Sequence, residues 1–299
     1  MNLYDIIVVG GGPAGLTAAI YAGRANKSVL VLEKGTFGGQ ITSSPKVENI
    51  PGFISVTGSE FGEQLLSQAM ELEAQIECCE VEKIIPGEIH TVVTDEGEFK
   101  GKTVIIATGT KHRLLGLDKE EEFIGNGISF CAVCDGAFYE GKTVAVIGGG
   151  NSALQEALLL SQTSKKVYVV QNLDFLTGED KLQKDVLAKE NIEVITGTIV
   201  KNLLGENELT GITVSGGGKE YDLSVDGMFV AIGLIPQNEN FSDIITLDGG
   251  GYVDSDENCL TNIEGIFVAG DCRKKKIRQV ATAAADGAVA ALAACDYIG

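Results

Sequence analysis

Two cysteines near the middle of the chain are separated by two residues, and an acid follows directly: Cys131, Cys134 and Asp135. Such a pair can close and open a disulfide, because a thiolate on one cysteine attacks a sulfur–sulfur bond. A helix that starts at the pair lowers a thiol pKa and makes this thiolate available at neutral pH. The pattern therefore predicts a redox-active dithiol with a proton donor beside it.

A metal site and a fixed structural disulfide are the alternatives for this pair. A structural zinc site needs four ligands, whereas the remaining cysteines are one adjacent pair and three single residues, accompanied by only two histidines. We therefore predict no metal site, and a permanent disulfide is disfavoured in a reducing cytosol. The sequence assigns no role to the other cysteines, which are Cys78, Cys79, Cys259, Cys272 and Cys295.

Composition limits the class of protein. The chain has 299 residues, 44% of them hydrophobic and 22% charged, and this length suggests about two globular domains. A formal net charge of −19 argues against binding to nucleic acid or to an anionic membrane. No basic segment with a cleavage site precedes the first strand-like run, and no apolar run approaches the length that spans a bilayer. We predict a cytoplasmic protein.

The N-terminal region follows the pattern of a dinucleotide-binding unit. Its elements are a buried strand over 5–9, a glycine-rich turn over 10–15, a helix over 16–24 and a strand over 28–32 that ends at Glu33. In this motif Gly10 permits the turn, Gly12 lets a pyrophosphate approach the backbone, and Gly15 lets helix and strand pack closely. Glu33 would accept hydrogen bonds from an adenosine ribose diol.

The middle of the chain repeats this pattern. A strand over 142–147 leads into a turn with Gly148, Gly150, Asn151, Ser152 and Ala153, followed by a helix over 154–161 and a strand over 166–170. Two such units suggest two nucleotide cofactors, as in flavoenzymes that oxidise a pyridine nucleotide. NADP binding needs basic side chains after the second strand, but residues 171–177 contain no lysine or arginine. Gln171 could still hydrogen-bond a ribose diol, so the sequence argues against a strong NADPH preference.

The remaining segments offer fewer assignments. The predicted elements are a helix over 61–74, strands over 81–85, 90–94, 103–106 and 227–233, and an Ala-rich helix over 280–294. His90 is predicted on a strand surface and His112 in a solvated loop. The basic run over 273–278 is predicted to be a solvated loop that could dock an acidic partner. Asp271, after a buried strand, could hold a sugar or polyol hydroxyl, with a helix N-cap as the alternative.

With these motifs in place, the chain resembles the low-molecular-weight thioredoxin reductases over essentially its whole length. The resemblance depends on both glycine turns, the dithiol with its acid, and short motifs at 38–40, 48–53, 107–109, 269–271 and 278–279. It implies an α/β fold of two Rossmann-like, three-layer ββα dinucleotide-binding domains, the second inserted in the first. The FAD-binding domain would comprise 1–113 and 243–299, and the pyridine-nucleotide-type domain with the dithiol 114–242.

The resemblance also implies a mechanism. In such enzymes FAD receives a hydride and passes electrons to the disulfide, Cys134 faces the flavin, and Cys131 attacks the disulfide of thioredoxin. Asp135 would be the general acid and base that protonates the departing thiolate. The implied FAD-binding residues are Gly10, Gly12, Pro13, Ala14, Gly15, Glu33, Gly39, Gln40, Asn49, Ala107, Thr108, Gly109, Asp271, Arg278 and Gln279, of which the last two would lie near the isoalloxazine ring. Those implied for a pyridine nucleotide are Gly148, Gly150, Asn151, Ser152, Ala153 and Gln171.

The same resemblance implies a moving part. Thioredoxin cannot reach a dithiol packed on a flavin, so the inserted domain would swivel between two arrangements. We place the hinge near 113–117 and 240–242. Enzymes of this family are usually homodimers, and we expect a homodimer here.

One departure from the family concerns the electron donor. Members that use NADPH carry a His-Arg-Arg run and a further arginine where this chain has Gln171, Asn172, Leu173 and Thr177. Charge-assisted contacts contribute about 1.5–3 kcal/mol each, so losing several lowers NADPH affinity by orders of magnitude. NADH, weakly bound NADPH and ferredoxin remain as donors, and the intact glycine turn favours NADH.

Two other functions stay open at this point. A flavin-dependent dithiol oxidase or a reductase of a peroxidase partner could use the same fold, because fold does not fix substrate. A non-catalytic flavin redox sensor is the alternative of another class, but it has no need of a dithiol paired with an acid. We predict a thioredoxin-disulfide reductase whose partner is thioredoxin or a thioredoxin-like protein.

Overall fold

The computed structural model describes residues 3–44 and 47–299. The chain forms two compact units. The first runs up to Lys111 and resumes at Ile235, and the second comprises His112–Leu234. The predicted assignment of domains to cofactors, with its boundaries and hinge, stays a prediction.

The helices and strands are numbered in chain order. The helices are α1 (Pro13–Arg24), α2 (Gly58–Glu71), α3 (Glu120–Phe123), α4 (Ala132–Asp135), α5 (Asn151–Leu160), α6 (Asp180–Leu187) and α7 (Val280–Ile298). The strands are β1 (Leu3–Val9), β2 (Val29–Glu33), β3 (Gln75–Cys78), β4 (Val81–Ile85), β5 (His90–Thr94), β6 (Gly97–Ile106), β7 (Thr110–His112), β8 (Ile128–Ser129), β9 (Thr143–Ile147), β10 (Lys166–Val170), β11 (Ile192–Ile195), β12 (Thr198–Leu204), β13 (Gly211–Gly216), β14 (Lys219–Ser224), β15 (Gly227–Val230), β16 (Leu234–Pro236) and β17 (Ile266–Val268).

The first unit is built on a parallel sheet with the strand order β3-β2-β1-β6, and β17 also pairs with β6. Val8 in β1 lies opposite Val31 in β2 and Ile105 in β6, and all three are fully buried. Parallel strands covered on both faces require such continuous apolar runs. Because the strands are parallel, the glycine turn after β1 and Glu33 at the end of β2 lie on the same edge.

Helices α1 and α7 pack together against this sheet. The contact is close, since a Cβ on Gly287 of α7 would lie 2.1 Å from the carbonyl oxygen of Ala14 in α1. By length and composition alone α7 could also cross a membrane, so the prediction that no apolar run approaches that length was wrong. Ala290, Ala291 and Ala294 are fully buried in the core with α1, which accounts for the apolar composition of α7.

The second unit repeats the parallel arrangement with the strand order β11-β10-β9-β15-β8. Helices α5 and α6 cover one face through a cluster that includes Val146, Leu154 and Val186. On the other face lies the antiparallel sheet β12-β13-β14, where Ile212 belongs to one cluster with Met228 of β15. These layers confirm the predicted α/β fold class, with a second Rossmann-like unit inserted in the first.

Both histidines are more buried than the sequence predicted. His90 on β5 is 2% exposed, and a Cβ on Gly265 would lie 2.6 Å from its Nε2. His112 stacks on Phe130 with 4.2 Å between ring centroids, and burial lowers its pKa to about 4. The surface position for His90 and the solvated loop for His112 were therefore wrong, because residues distant in sequence cover both rings.

Candidate active site

Cys131 and Cys134 form a disulfide at the start of α4 in the second unit. Cys131 is the N-cap of this short helix, and its sulfur accepts a hydrogen bond from the Cys134 N–H at 3.2 Å. Both cysteines are half-buried, while Val133 between them is 63% exposed. The structure confirms that the two cysteines pair, and their catalytic roles stay predictions.

Asp135 ends α4 and is held by Ser129. The Ser129 hydroxyl donates to Oδ2 of Asp135 at 2.6 Å and accepts from the Cys131 N–H at 3.1 Å. Oδ1 of Asp135 is buried and has no hydrogen-bond partner within residues 3–44 and 47–299. Burial raises the pKa of this carboxyl, and the bond from Ser129 partly offsets the rise. Asp135 therefore keeps its proton to higher pH than an exposed aspartate would.

Sequence reasoning missed three polar residues around the dithiol. One is Ser129, and the second is Glu156 on α5, a buried carboxyl whose pKa burial raises to about 7. The third is Tyr139, whose pKa is raised to about 12 by burial first and then by the charge of Asp135. None belongs to a motif with fixed spacing from the cysteines. Packing of α4 and the following turn against α5 brings Glu156 and Tyr139 to this region, whereas Ser129 lies two residues before Cys131 in the chain.

The first glycine turn has three different steric environments. Gly10 has a φ of 112°, and a Cβ there would lie 2.3 Å from the carbonyl oxygen of Ala107. A Cβ on Gly15 would lie 1.8 Å from the carbonyl oxygen of Gly10. On Gly12 it would meet no described atom nearer than 3.9 Å. The backbone fills the space beside Gly10 and Gly15, whereas the side at Gly12 is open where a pyrophosphate would approach.

Two segments border this open side. Pro13 and Ala14 begin α1 directly after Gly12. Gly39 begins a short 3-10 helix, and a Cβ on it would lie 3.1 Å from the Cα of Gly12. The sequence assigned no chemistry to the loop at Gly39 from spacing alone, and the structure places it against the glycine turn.

Glu33 shapes the same turn from the end of β2. Its Oε2 accepts a hydrogen bond from the Gly11 N–H at 2.6 Å, and its Oε1 accepts one from the Gly35 N–H at 2.8 Å. A cavity of about 70 Å³ lies beside it. Residues lining it include Val9, Gly10, Glu33, Val81, Thr108 and Phe241.

The small-residue segment after β6 closes this edge of the sheet. The Ala107 N–H donates to the carbonyl oxygen of Val9 at 2.7 Å, and Gly109 has a φ of 66°. The Thr108 hydroxyl donates to Oδ1 of Asn238 at 3.1 Å. Asn238 is 1% exposed and was not predicted, because a lone asparagine carries no motif.

Gln40, Asn49 and Gln279, which the family resemblance assigned to FAD, form two hydrogen bonds in the first unit. Nε2 of Gln40 donates to the carbonyl oxygen of Thr110. Nδ2 of Asn49 donates to Oε1 of Gln279 at 3.2 Å. Gln279 is also the N-cap of α7, so the second contact joins the 48–53 loop to the start of that helix.

Asp271 lies in a short 3-10 turn after β17, and its carboxyl is buried. Oδ1 has no hydrogen-bond partner in the described part of the chain. Burial raises its pKa to about 6, against the charges of Lys275 and Arg278. The N-cap of α7 is Gln279, so the N-cap alternative for Asp271 was wrong. Arg278 lies over Tyr252, with 4.1 Å from guanidinium carbon to ring centroid.

Part of the basic run 273–278 is buried in an ion cluster. Nε and Nη2 of Arg273 donate to the two carboxylate oxygens of Asp286 in α7, each at 2.8 Å. Nζ of Lys275 lies 2.8 Å from Oδ2 of the same group. The prediction of a solvated loop was therefore wrong for Arg273 and Lys275, because Asp286 draws both cations into the interior.

The second glycine turn repeats the steric pattern of the first. Gly148 has a φ of 128°, and a Cβ there would lie 2.5 Å from a carbonyl oxygen beyond β15. A Cβ on Gly150 would meet nothing nearer than 3.7 Å within the described chain. Asn151 and Ser152 begin α5 and are exposed, whereas Ala153 is fully buried. This turn is also open at its second glycine.

Gln171 follows β10 and is 5% exposed. Its side chain covers the second turn, since a Cβ on Gly149 would lie 2.7 Å from its Cδ. Its Nε2 donates to the carbonyl oxygen of Phe175 at 3.3 Å. An uncharged amide therefore lies directly against the second glycine turn.

The chain is similar to known proteins over nearly its full length. A family model described as pyridine nucleotide-disulphide oxidoreductase matches residues 4–287. A thioredoxin reductase from Listeria monocytogenes is 38% identical, over 99% of this chain and 94% of that protein. A Clostridium pasteurianum protein called "34.2 kDa protein in rubredoxin operon" is 41% identical, over 99% of this chain and 97% of that protein. The crystal structure of thioredoxin reductase from Streptococcus pyogenes superposes with a TM-score of 0.94 at 36% identity, covering 99% of this chain and 98% of that one.

Proposed function

The chain belongs to the pyridine nucleotide-disulphide oxidoreductase family, and from this membership we propose that it is a thioredoxin reductase. Its substrate is then the disulfide of thioredoxin or of a thioredoxin-like protein. The observation that supports this most directly is the disulfide at the start of α4, with the buried acid Asp135 beside it. A docking or sensing protein would have no use for that combination.

We propose FAD as the cofactor of the first unit, because the residues there fit its parts. The open side of Gly12 admits a pyrophosphate, Glu33 retains acceptor capacity for a ribose diol, and the unpartnered oxygen of Asp271 suits a polyol hydroxyl. When bound, FAD supplies the redox chemistry that links an electron donor to a disulfide. Arg278 and Gln279 are assigned to its ring system on family resemblance.

The two cysteines divide the disulfide exchange between them. In the proposed reaction the Cys131 thiolate attacks one sulfur of the partner's disulfide, and the other partner sulfur departs with a proton from Asp135. The Cys134 thiolate then attacks the Cys131 sulfur and releases the second partner sulfur. One partner disulfide becomes two thiols while the enzyme dithiol becomes a disulfide, so the electrons balance.

We propose NADH rather than NADPH as the donor that uses the second unit. Gly150 leaves that turn open for a pyrophosphate, and Gln171 offers an uncharged amide. A 2′-phosphate would find no lysine or arginine in residues 171–177. Ferredoxin is the second candidate donor, because the missing charges weaken the case for a tightly bound nucleotide.

Assembly and location complete the proposal. The first unit is assigned to FAD and the second to the pyridine nucleotide, and a homodimer follows from family resemblance. Five cysteines besides the Cys131–Cys134 pair are free. Free cysteines suit a reducing compartment, which supports a cytoplasmic location.

An anaerobic titration of the flavin-loaded protein tests the donor. NADH, NADPH and reduced ferredoxin are added separately while the flavin absorbance is followed. We expect bleaching by NADH and fast turnover of thioredoxin. Fast turnover at micromolar NADPH would contradict the NADH assignment, and bleaching by reduced ferredoxin alone would replace it.

Two further outcomes bear on the function itself. A colourless protein that takes up no FAD would contradict the flavoenzyme assignment. Oxygen consumption with a small dithiol, without reduction of thioredoxin, would favour a dithiol oxidase instead.

A further inference from the structure

Ser129 is a buried serine whose hydroxyl ties Asp135 to the first cysteine of the dithiol. It ends β8, which pairs with β15 in the parallel sheet of the second unit, and it is 5% exposed. The hydroxyl oxygen accepts a hydrogen bond from the Cys131 N–H at 3.1 Å, and the hydroxyl donates to Oδ2 of Asp135 at 2.6 Å. A residue of the sheet therefore fixes the carboxyl relative to the Cys131 backbone.

The hydrogen bonds of this hydroxyl decide which carboxyl oxygen can carry a proton. A serine hydroxyl has one proton to donate and two lone pairs. The Cys131 N–H occupies one lone pair, and Oδ2 of Asp135 is the only acceptor that the described residues offer to the proton. A proton on Oδ2 would leave the Ser129 hydroxyl without an acceptor in a buried position, which costs free energy. The proton of a neutral Asp135 therefore belongs on Oδ1.

Oδ1 of Asp135 is free to receive this proton. It is buried and has no hydrogen-bond partner within residues 3–44 and 47–299. Burial also raises the pKa of Asp135, so the neutral form persists to higher pH than in an exposed aspartate. A proton on Oδ1 has no hydrogen bond to break before it is transferred, whereas a proton on Oδ2 would be held by Ser129.

We propose that Ser129 is a positioning residue that occupies Oδ2 and thereby makes Oδ1 the atom through which Asp135 gives and takes protons. The inference rests on the proposed function. In that reaction Asp135 and Cys134 start with one proton each, and Cys131 starts as the thiolate. Oδ1 protonates the first departing partner sulfur, takes the Cys134 proton as that sulfur attacks Cys131, and gives it to the second departing sulfur. The partner then holds two electrons and two protons more, and the enzyme holds the disulfide.

Infrared spectroscopy tests which oxygen carries the proton. The C=O stretch of a carboxylic acid lies at lower frequency when its carbonyl oxygen accepts a hydrogen bond. The difference spectrum of the purified protein between acid and alkaline pH, minus that of Asp135→Asn, isolates this residue from the other buried carboxyls. We expect a band at the lowered frequency, because Oδ2 is the carbonyl oxygen when Oδ1 has the proton. A band at the unbonded frequency, or no band, would overturn the proposal.

Variants of Ser129 provide a second check. Ser129→Ala removes the hydroxyl and should move the band to the unbonded frequency, whereas Ser129→Thr keeps a hydroxyl and should retain the wild-type band. Thr213→Val is the matched control, because it removes a hydroxyl that donates to Asp222 at 2.7 Å in the same unit. Its band should equal that of the wild type. An unmoved band in folded Ser129→Ala would overturn the proposal, and if this variant does not fold, the wild-type band decides.

The dependence of the rate on the leaving group distinguishes a positioning role from a structural one. The dithiothreitol-reduced protein, freed of reagent without air, is oxidised either by an aromatic disulfide, whose acidic thiol leaves without a proton, or by an alkyl disulfide, whose thiol needs one. We expect Ser129→Ala to react roughly tenfold more slowly with the alkyl disulfide, which is part of the effect of a general acid. Its rate with the aromatic disulfide should equal that of the wild type and of Thr213→Val. Equal losses with both reagents, or no loss, would contradict the proposal.

Neither measurement needs an electron donor or thioredoxin. A lowered C=O band in a protein that never reduces thioredoxin would support the inference and contradict the proposed function. An unbonded C=O band in an active reductase would do the reverse.

Discussion

At both candidate sites a buried carboxyl has one oxygen without a hydrogen-bond partner among the residues that the structure describes, on Asp271 in the first unit and on Asp135 in the second. Burial raises the pKa of each, and the surroundings differ. Asp135 lies beside a disulfide, where a held proton would serve the proposed thiol exchange. Asp271 lies at a strand end in the proposed flavin domain, where an acceptor oxygen would suit a ligand hydroxyl.

Asp271→Ala should weaken FAD retention. It removes one acceptor for a charge-assisted hydrogen bond, worth about 1.5–3 kcal/mol, which corresponds to a roughly tenfold to hundredfold rise in Kd. Flavin released on ultrafiltration, measured by fluorescence, reports the change. Asp254→Ala removes an exposed carboxylate of the same unit and should retain FAD like the wild type. Equal retention in both variants would contradict the role of Asp271.

Glu156 should also affect how stability depends on pH. Its folded pKa of about 7 lies above the ordinary value of 4.5, so the folded state binds this proton more tightly than the unfolded chain does. Its contribution to the free energy of unfolding is present below about pH 4.5 and is lost as pH rises through about 7. Urea unfolding across this window should show a smaller fall in Glu156→Gln than in the wild type. Identical falls would show that Glu156 is ionised normally in the folded protein.

Residues that belong to a short motif could be predicted from their spacing alone, because the geometry of a turn or a helix start places nearby residues side by side. The dithiol with its acid and the two glycine turns are examples. Ser129, Glu156 and Asn238 could not be predicted in this way. Glu156 and Asn238 acquire their places through tertiary packing. Ser129 lies two residues before Cys131, but a single serine has no recognisable pattern.

Each glycine turn combines close backbone contacts that the fold needs with an open side where the proposed cofactor would bind. At Gly15 a Cβ would overlap the backbone, whereas at Gly12 it would enter the open side of the turn. Gly12 also has a φ of −81°, which any residue adopts. The turn therefore contains one position that folding requires, Gly15, and one that the proposed FAD binding requires, Gly12.

Gly12→Ala and Gly15→Ala should consequently behave differently. We expect Gly12→Ala to fold with less than about 1 kcal/mol lost but to bind FAD poorly, because its methyl group occupies the pyrophosphate's approach. Gly15→Ala should give little folded protein. Circular dichroism melting and flavin content distinguish the two. Full flavin content in a folded Gly12→Ala protein would contradict the proposed pyrophosphate position.

Helix α7 depends on a buried charge that the sequence analysis overlooked. Asp286→Ala would leave Arg273 and Lys275 without their shared carboxylate in an interior position. Breaking a buried pair on one side costs about 3–5 kcal/mol. Urea unfolding should show this loss, whereas Asp296→Ala on the same helix should cost little. A small loss in Asp286→Ala would mean that water replaces the carboxylate.

The ends of several helices and strands are set by capping and strand-pairing contacts, which the hydrophobic pattern of the sequence does not show. Helix α2 begins at Gly58, three residues before the predicted start, because Thr57 and Glu60 form a capping box. Strand β6 begins at Gly97 rather than at 103, because its first half pairs with β5. The predicted strand over 166–170 matches β10 in full, since Val167, Val169 and Val170 are buried and mark most of its length.

For the whole molecule, the repeated strand–turn–helix pattern was sufficient to predict two Rossmann-like units. It could not show which side chains would be buried, as both histidines and the basic run demonstrate. The run of lysines and arginines over 273–278 suggests a solvated surface. Asp286 on α7 nevertheless holds Arg273 and Lys275 in the interior.

The central claim is that electrons reach a thioredoxin disulfide through Cys131 and Cys134. The most direct test is thioredoxin reduction by FAD-loaded Cys134→Ser protein, with whichever donor bleaches the wild-type flavin. Cys78→Ser, which removes an exposed free cysteine, is the matched control. We predict that Cys134→Ser keeps its FAD and loses thioredoxin reduction, while Cys78→Ser keeps both. Reduction by Cys134→Ser at the wild-type rate would contradict the account.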